Sequence, residues 1–277
     1  MGTVSAGGQG RLGSLWNRFR GLGRRALGWL APEGEAARPA AIPPSDLLFR
    51  STGCESAEWY VKSGDQSYQE FADVLAACRR SFDEFRTILD FGCGCGRILR
   101  ALRNRLPGAR LCASDQDEAA VAWLRKTYQD VNLRTNGPLP PLAFAAGTFD
   151  LVLGFSVFTH LSESYQDAWL HELRRVTRPG AFLLLTVHGS ANWDKTLREH
   201  QPLRDSPELP ALESALGGHG FAHWRGDGWS QFFPDFYHTT WHLPAYIREH
   251  WARWFRVLEI WPTKALANQD IVVLRHD

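Results

Sequence analysis

The chain has 277 residues, 44% of them hydrophobic and 22% charged, with 16 Phe, 12 Trp and 6 Tyr. So much apolar and aromatic material excludes a disordered protein and is enough for one large domain, or for a core domain with an appended subdomain. No stretch of about 18 apolar residues is present, so no spanning helix is expected, and a formal net charge of +1 argues against a broad basic surface for nucleic acid.

The first 30 residues contain Arg11, Arg18, Arg20, Arg24 and Arg25 and no acid, a formal +5 that leaves −4 for the rest of a chain of net +1. Leu12, Leu15, Trp16, Phe19, Leu22, Ala26, Leu27 and Leu30 recur mostly every three or four residues, one face of a helix that Pro32 stops. A basic amphipathic helix over residues 11–30 suits peripheral contact with an anionic membrane surface; packing on its own domain or on a protein partner is the alternative. Arg18, Arg20, Arg24 and Arg25 interrupt any apolar core of a secretory signal. Residues 31–46, rich in Ala, Pro and Glu, read as a linker, so residues 1–46 are an extension and 47–277 the main domain. Five scattered cysteines (Cys54, Cys78, Cys93, Cys95, Cys112) fit reduced thiols of a cytoplasmic protein, and the Cys93–Cys95 pair lacks the second pair that a metal site needs, so no metal is expected.

Farther along, the spacing predicts a helix over 67–82, a strand at Thr87–Phe91, a helix at Ile98–Arg105 and a strand at Arg110–Ala113. A helix at Glu118–Tyr128, strands at Val131–Leu133 and Phe149–Phe155, and a helix at Tyr165–Thr177 stopped by Pro179-Gly180 follow. Next come a strand at Phe182–Val187, a helix at Pro244–Trp254, and strands at Phe255–Ile260 and Ile271–Leu274. Strands alternating with helices imply an α/β fold, a mostly parallel sheet covered on both faces. Residues 189–243 show no regular period but hold Trp193, Trp224, Trp229, Phe232, Phe233, Phe236, Tyr237 and Trp241, read as an insertion that covers substrate or forms a small core of its own.

The informative segment is Thr87-Ile-Leu-Asp-Phe-Gly-Cys-Gly-Cys-Gly-Arg-Ile-Leu-Arg100. A strand runs into Gly92, Gly94 and Gly96 and then into a helix, so the backbone can turn sharply and bring N–H groups up to a ligand. A dinucleotide fingerprint would place its third glycine at position 97, which is Arg97. The actual spacing, Asp90-x-Gly92-x-Gly94-x-Gly96, resembles motif I of class I S-adenosylmethionine-dependent methyltransferases. Asp115, about twenty residues on at a strand end, matches an acid that accepts from both ribose hydroxyls. Nearby Asp117 reads as a helix N-cap. Asn136 fits an adenine-contacting position, and Phe149-Asp150 through Phe155-Ser156 fits the strand that ends beside the methionine portion. Trp169–Gly180 matches the helix and turn after it, and Gln269-Asp270-Ile-Val-Val-Leu resembles the last strand of a branch found among sugar and natural-product tailoring enzymes.

The resemblance implies a doubly wound seven-stranded sheet in the order 3-2-1-4-5-7-6, S-adenosyl-L-methionine as cofactor and S-adenosyl-L-homocysteine as product. It assigns Asp90, Gly92, Cys93, Gly94, Gly96, Asp115, Gln116, Asn136, Phe155 and Ser156 to the cofactor. The implied reaction is methyl transfer to a small-molecule acceptor, first a hydroxyl of a sugar or natural product. Histidine suits the deprotonation of such a hydroxyl. His160, borrowed from similar sugar O-methyltransferases, is the first candidate; His188, at a strand end, and His238, in the insertion, are the others. An N- or C-methyltransferase is the runner-up, although Gly154-Phe155-Ser156-Val157 lacks the Asn/Asp-Pro-Pro-Tyr/Phe pattern of nitrogen methylation. A non-catalytic scaffold that binds the cofactor is the reading from another class. Nucleic acid is not expected as a partner, and the sequence leaves oligomeric state open.

Overall fold

The computed structural model describes residues 41–228 and 234–277. The arginine-rich helix and linker expected before residue 41 therefore lie outside the described residues, as do Trp229, Phe232 and Phe233. In chain order the described strands are β1 (Thr87–Phe91), β2 (Arg110–Asp115), β3 (Asn132–Thr135), β4 (Phe149–Gly154), β5 (Thr177–Val187), β6 (Phe221–Trp224), β7 (Thr239–His242), β8 (Arg256–Ala265) and β9 (Gln269–Arg275). Seven of them form one sheet in the order β3-β2-β1-β4-β5-β9-β8, which is the expected 3-2-1-4-5-7-6 once the separate β6-β7 hairpin is set aside. β1 through β5 are parallel, and β9 enters antiparallel between β5 and β8.

Short apolar strands with both faces covered explain why the sequence runs are continuous rather than alternating. Ile88, Leu151 and Leu153 face one core with Phe71, Leu75, Leu99 and Leu102. Leu89 and Val152 face another with Trp169, Leu170 and Leu173. The described helices are α1 (Ser45–Thr52), α2 (Ala57–Ala77), α3 (Arg97–Arg105), α4 (Glu118–Thr127), α5 (Glu163–Val176), α6 (Ser190–Glu199), α7 (Gln201–Arg204), α8 (Leu209–His219) and α9 (Pro244–His250).

Three expectations change. The helix predicted over 67–82 begins ten residues earlier and ends at Ala77, because Ser56 caps it by accepting from the Trp59 N–H at 3.1 Å. Gly64, which interrupts the apolar pattern, lets α2 touch α3: a Cβ there would lie 2.3 Å from the Arg97 carbonyl oxygen. Pro179-Gly180 does not stop α5. The helix ends at Val176, Thr177 already pairs with Phe149, and the next pair is Phe182 with Leu151, so Pro179 sits in a bulge where its missing N–H costs no ladder bond. Lastly, the described part of residues 189–243 holds regular elements. α6, α7, α8 and the hairpin enclose a satellite core of Trp193, Leu203, Leu212, Leu216, Ala222, Trp224 and Trp241.

Asp150 ties β4 to β1. Its two carboxylate oxygens accept the backbone N–H groups of Arg86 (2.8 Å) and Thr87 (2.9 Å), and Arg178 donates to it at 2.8 Å. Replacing Asp150 by Ala leaves these donors without a partner and should cost about 2–3 kcal/mol, read as a fall in the denaturant midpoint at unchanged m-value.

Candidate functional site

The parallel strands direct the carboxyl ends of β1, β2, β4 and β5 to one edge, where the glycine loop leaves β1. At Gly92 the backbone is left-handed (φ +71°), and a Cβ would stand 2.2 Å from Val157 Cγ2. At Gly94 (φ +52°) it would stand 2.7 Å from Ser51 Oγ. Only glycine meets both demands, the torsion and the close approach. The N–H groups of Gly92 and Cys93 bond to the Ser114 carbonyl, which fastens the loop to β2. Gly96 opens α3 with no side-chain cap.

Asp115, at the end of β2, accepts the N–H of Gly94 at 2.7 Å and that of Asp117 at 2.8 Å, one on each carboxylate oxygen. Each oxygen keeps a second lone pair for a ligand hydroxyl. Asp117 caps α4, accepting from Ala119 and Ala120, as its position suggested. Asp90 is buried at the base of the loop, and its Oδ2 has no hydrogen-bond partner. Burial, against the pull of Arg97 and with added repulsion from Asp115, pushes its carboxyl up to about 7. Asn136 donates its N–H to the Asp115 carbonyl, and its Oδ1 is also buried without a partner. Cys93 is buried, which raises its thiol well above the usual range, and Gln116 is half-buried beside Asp115.

Phe155 and Ser156 follow β4. Ser156 has φ 58°, a left-handed torsion in a non-glycine residue. It is held there by its N–H donating to Thr186 Oγ1 (2.8 Å) and by Gln269 Nε2 donating to its hydroxyl (2.5 Å). The Phe155 ring carries the Arg97 guanidinium 4.4 Å from its centroid, and Arg97 also donates to Ser67 Oγ at 3.1 Å.

The three candidate histidines converge past the ends of β4 and β5. The His160 and His188 rings are 6.0 Å apart, edge to face. The hairpin is docked on them by main-chain bonds: His238 N–H to the His160 carbonyl, Thr240 N–H to Thr159, and His242 N–H to His188. His160 Nδ1 lies 3.2 Å from the His238 carbonyl, and His188 Nδ1 lies 3.2 Å from that of Thr240. Because a carbonyl only accepts, both rings carry their proton on Nδ1 and their lone pair on Nε2. His238 Nδ1 faces Asp227 Oδ1 at 3.2 Å. Tyr237 stacks on His160 with centroids 3.9 Å apart.

Other residues at this edge carried no sequence signal that marked them. Ser51 of α1 accepts the Cys95 N–H at 2.9 Å, Tyr60 of α2 donates to the Cys95 carbonyl at 3.0 Å, and Arg50 pairs with Asp117 at 3.1 Å. The helix that carries Ser51 begins two residues inside the expected linker. Asp227 stands between two glycines in a segment without periodicity, so only the fold reveals its partner.

Comparison with known proteins decides what this edge belongs to. Residues 88–180 match the family described as a methyltransferase domain. The match spans 93 of the 277 residues. A relative from Mycolicibacterium smegmatis, a probable S-adenosylmethionine-dependent methyltransferase, is 31% identical over 176 residues, which is 63% of this chain and 60% of that one. A malonyl-[acyl-carrier protein] O-methyltransferase of Hahella chejuensis is 32% identical over 104 residues, 36% of each chain. This chain therefore spans well under two thirds of either relative's length. The crystal structure of the PH0226 protein from Pyrococcus horikoshii OT3 shares this fold, with a TM-score of 0.55 at 14% identity, covering 83% of this chain and 98% of that one. The methyltransferase match contains the glycine loop, Asp115 and His160; His188 and His238 lie beyond it.

The buried imidazoles give the methyltransferase domain and its hairpin an acid-labile joint. Burial pulls His188 down to about 4, and burial together with His188 pulls His242 down to about 3. In the unfolded chain both take a proton near pH 6.5. Their contribution is complete above that value and is lost as pH falls through 6.5 toward 4, because only the unfolded chain accepts the protons. Each should cost roughly 2 kcal/mol at pH 5. Thermal denaturation should give a Tm several degrees lower at pH 5 than at pH 7.5, and equal values would contradict this burial.

Proposed function

We propose that the protein transfers a methyl group from S-adenosyl-L-methionine to a hydroxyl of a small molecule, with a sugar or natural product as the first acceptor class, releasing S-adenosyl-L-homocysteine. The observation that carries this reading is the convergence of His160, His188 and His238 beside a glycine loop whose buried acceptors lack partners. The residues present fit the cofactor. Asp90 Oδ2 suits its ammonium, the remaining lone pairs of Asp115 its ribose hydroxyls, and Asn136 Oδ1 its adenine amine. Phe155 and Ser156 belong beside the methionine portion, with Cys93 and Gln116 supplying the walls.

When bound, the cofactor supplies a methyl group already activated on a sulfonium, ready for in-line displacement. What remains for the protein is to align the acceptor and to hold a base. A carboxylic acid, such as the acceptor for which the Hahella chejuensis relative is named, is already ionised near pH 7 and needs no base. A hydroxyl does. The carboxylate of Asp227 within the imidazole cluster also opposes an anionic acceptor. Phe236, stacked on Tyr165 with centroids 5.3 Å apart, and Tyr237 give the acceptor side aromatic surface that suits a sugar or a planar ring. We place the enzyme in the cytoplasm; among the described residues no helix is long and apolar enough to cross a membrane. Membrane or protein contact through residues 11–30 belongs to the same proposal.

Calorimetry with S-adenosylmethionine and an assay of S-adenosylhomocysteine release test this reading. Gly94→Val should weaken cofactor binding at least a hundredfold at unchanged circular dichroism; unaltered affinity would refute the role of the loop. Asp90 must be ionised to hold an ammonium, and its carboxyl sits at about 7. Affinity should therefore rise from pH 6 to pH 8 in the wild type and stay flat in Asp90→Asn, as measured in the same calorimeter.

A further inference from the structure

We propose that Asp227 is a positioning residue for His238, and that His238, rather than His160 or His188, is the base that takes the acceptor's proton. This deepens the methyl-transfer reading and rests on it. Asp227 sits on the connection between β6 and β7, with its side chain 2% exposed and that of His238 6% exposed. Its Oδ1 faces His238 Nδ1 at 3.2 Å, and its Oδ2 accepts from the backbone N–H of Thr239 at 2.5 Å and from Thr239 Oγ1 at 2.9 Å. The carboxylate is thus fixed from the neighbouring residue before it meets the ring. A carboxylate only accepts, so His238 carries its proton on Nδ1 and its lone pair on Nε2.

All three candidate histidines share that tautomer, and they differ in what they offer the cation formed once the proton arrives. His160 and His188 donate to neutral carbonyls. Burial, together with His188, drives His160 well below its ordinary range, and burial does the same to His188. With a proton added, either ring would still donate to a neutral carbonyl. On His238 it would meet a carboxylate in a charge-assisted hydrogen bond, which strengthens as the charge develops.

Among the described residues, the groups that face His238 come from three elements. Asp227 comes from the hairpin connection, His223 from β6 with its ring 5.5 Å away, and His160 from the segment after β4, whose carbonyl accepts the His238 N–H at 3.0 Å. The adjacent Tyr237 ring stacks on His160 with centroids 3.9 Å apart, and burial, with added repulsion from Asp115 and Asp227, pushes its hydroxyl well above the ordinary range. In the step itself the acceptor O–H gives its proton to His238 Nε2. The oxygen pair forms the new C–O bond, and the electrons of the C–S bond leave on the thioether sulfur of S-adenosylhomocysteine.

The test uses the full chain and two variants, Asp227→Asn and Asp227→Ala. In 15N-histidine-labelled protein, with His238 assigned through His238→Gln, the wild type should show a single Nδ1–H tautomer, and both variants should lose it. With a panel of phenols, catechols and sugars, and carboxylic acids as controls, kcat for the hydroxyl acceptors should fall at least a hundredfold in both variants while calorimetric affinity for S-adenosylmethionine stays within twofold. The Nδ1–H tautomer is the readout that a merely structural role would not move. An unchanged tautomer in both variants, or turnover of carboxylic acids alone, overturns the proposal. Failure of the wild type to bind the cofactor overturns the methyltransferase reading itself, which separates the two.

Discussion

The site depends on one constraint: between β1 and α3 the main chain must pass closer to its neighbours than any side chain permits. Val157 presses on Gly92 and Ser51 on Gly94, so the segment after β4 and the first described helix both use the space that a Cβ would fill. Asp115 then fastens the Gly94 N–H from the end of β2. The loop is held from three sides with its buried acceptors still unpaired, and an unpaired buried acceptor is costly unless a ligand completes it. That cost supports the proposal that the edge binds a ligand. Under that proposal Asp115 has two duties, bracing the loop and facing the ligand, so a substitution there cannot separate them.

The second half of the site obeys a different economy of forces. Four buried or half-buried imidazoles, His160, His188, His223 and His242, are pushed toward their neutral forms, chiefly by burial. A neutral cluster tolerates close approach that charged rings would not, and it lets a small hairpin dock on the sheet edge without ion pairs. One carboxylate placed at the margin of such a cluster then acts in a poorly screened setting, where its pull on a single ring is larger than at an open surface. The role proposed for His238 rests on this placement.

The architecture was legible where local chemistry and tertiary demand coincide. β1, the glycine loop and β2 announce themselves because a strand ending in alternate glycines serves few other purposes, and Asp117 is a helix cap by type and position. The start of α2 was hidden by Gly64, which breaks the helical pattern in order to let Arg97 approach, so a packing requirement masqueraded as a helix stop. Pro179-Gly180 misled in the opposite sense, since a bulge needs the same residues as a turn. Leu209, Leu212 and Leu216 do share a helical face, but the paired glycines beside them and the density of Trp and His hid α8. Asp227 was beyond reach: its meaning lies wholly in a ring eleven residues away that a hairpin returns to it.

That return explains why the imidazoles are held in place although the sequence around them has no periodic pattern. His238, Thr240 and His242 are anchored through their own N–H groups to the carbonyls of His160, Thr159 and His188, bonds indifferent to the side chains of the hairpin connection. His160 and His188 in turn have their ring protons fixed by hairpin carbonyls. Main chain positions main chain, and each ring is oriented by a group that sequence change cannot remove. Phe236 and Tyr237 meet Tyr165 and His160 through ring faces instead, the aromatic surface proposed to match the acceptor's shape. A fold built this way separates what must be exact in angle from what need only be complementary in shape.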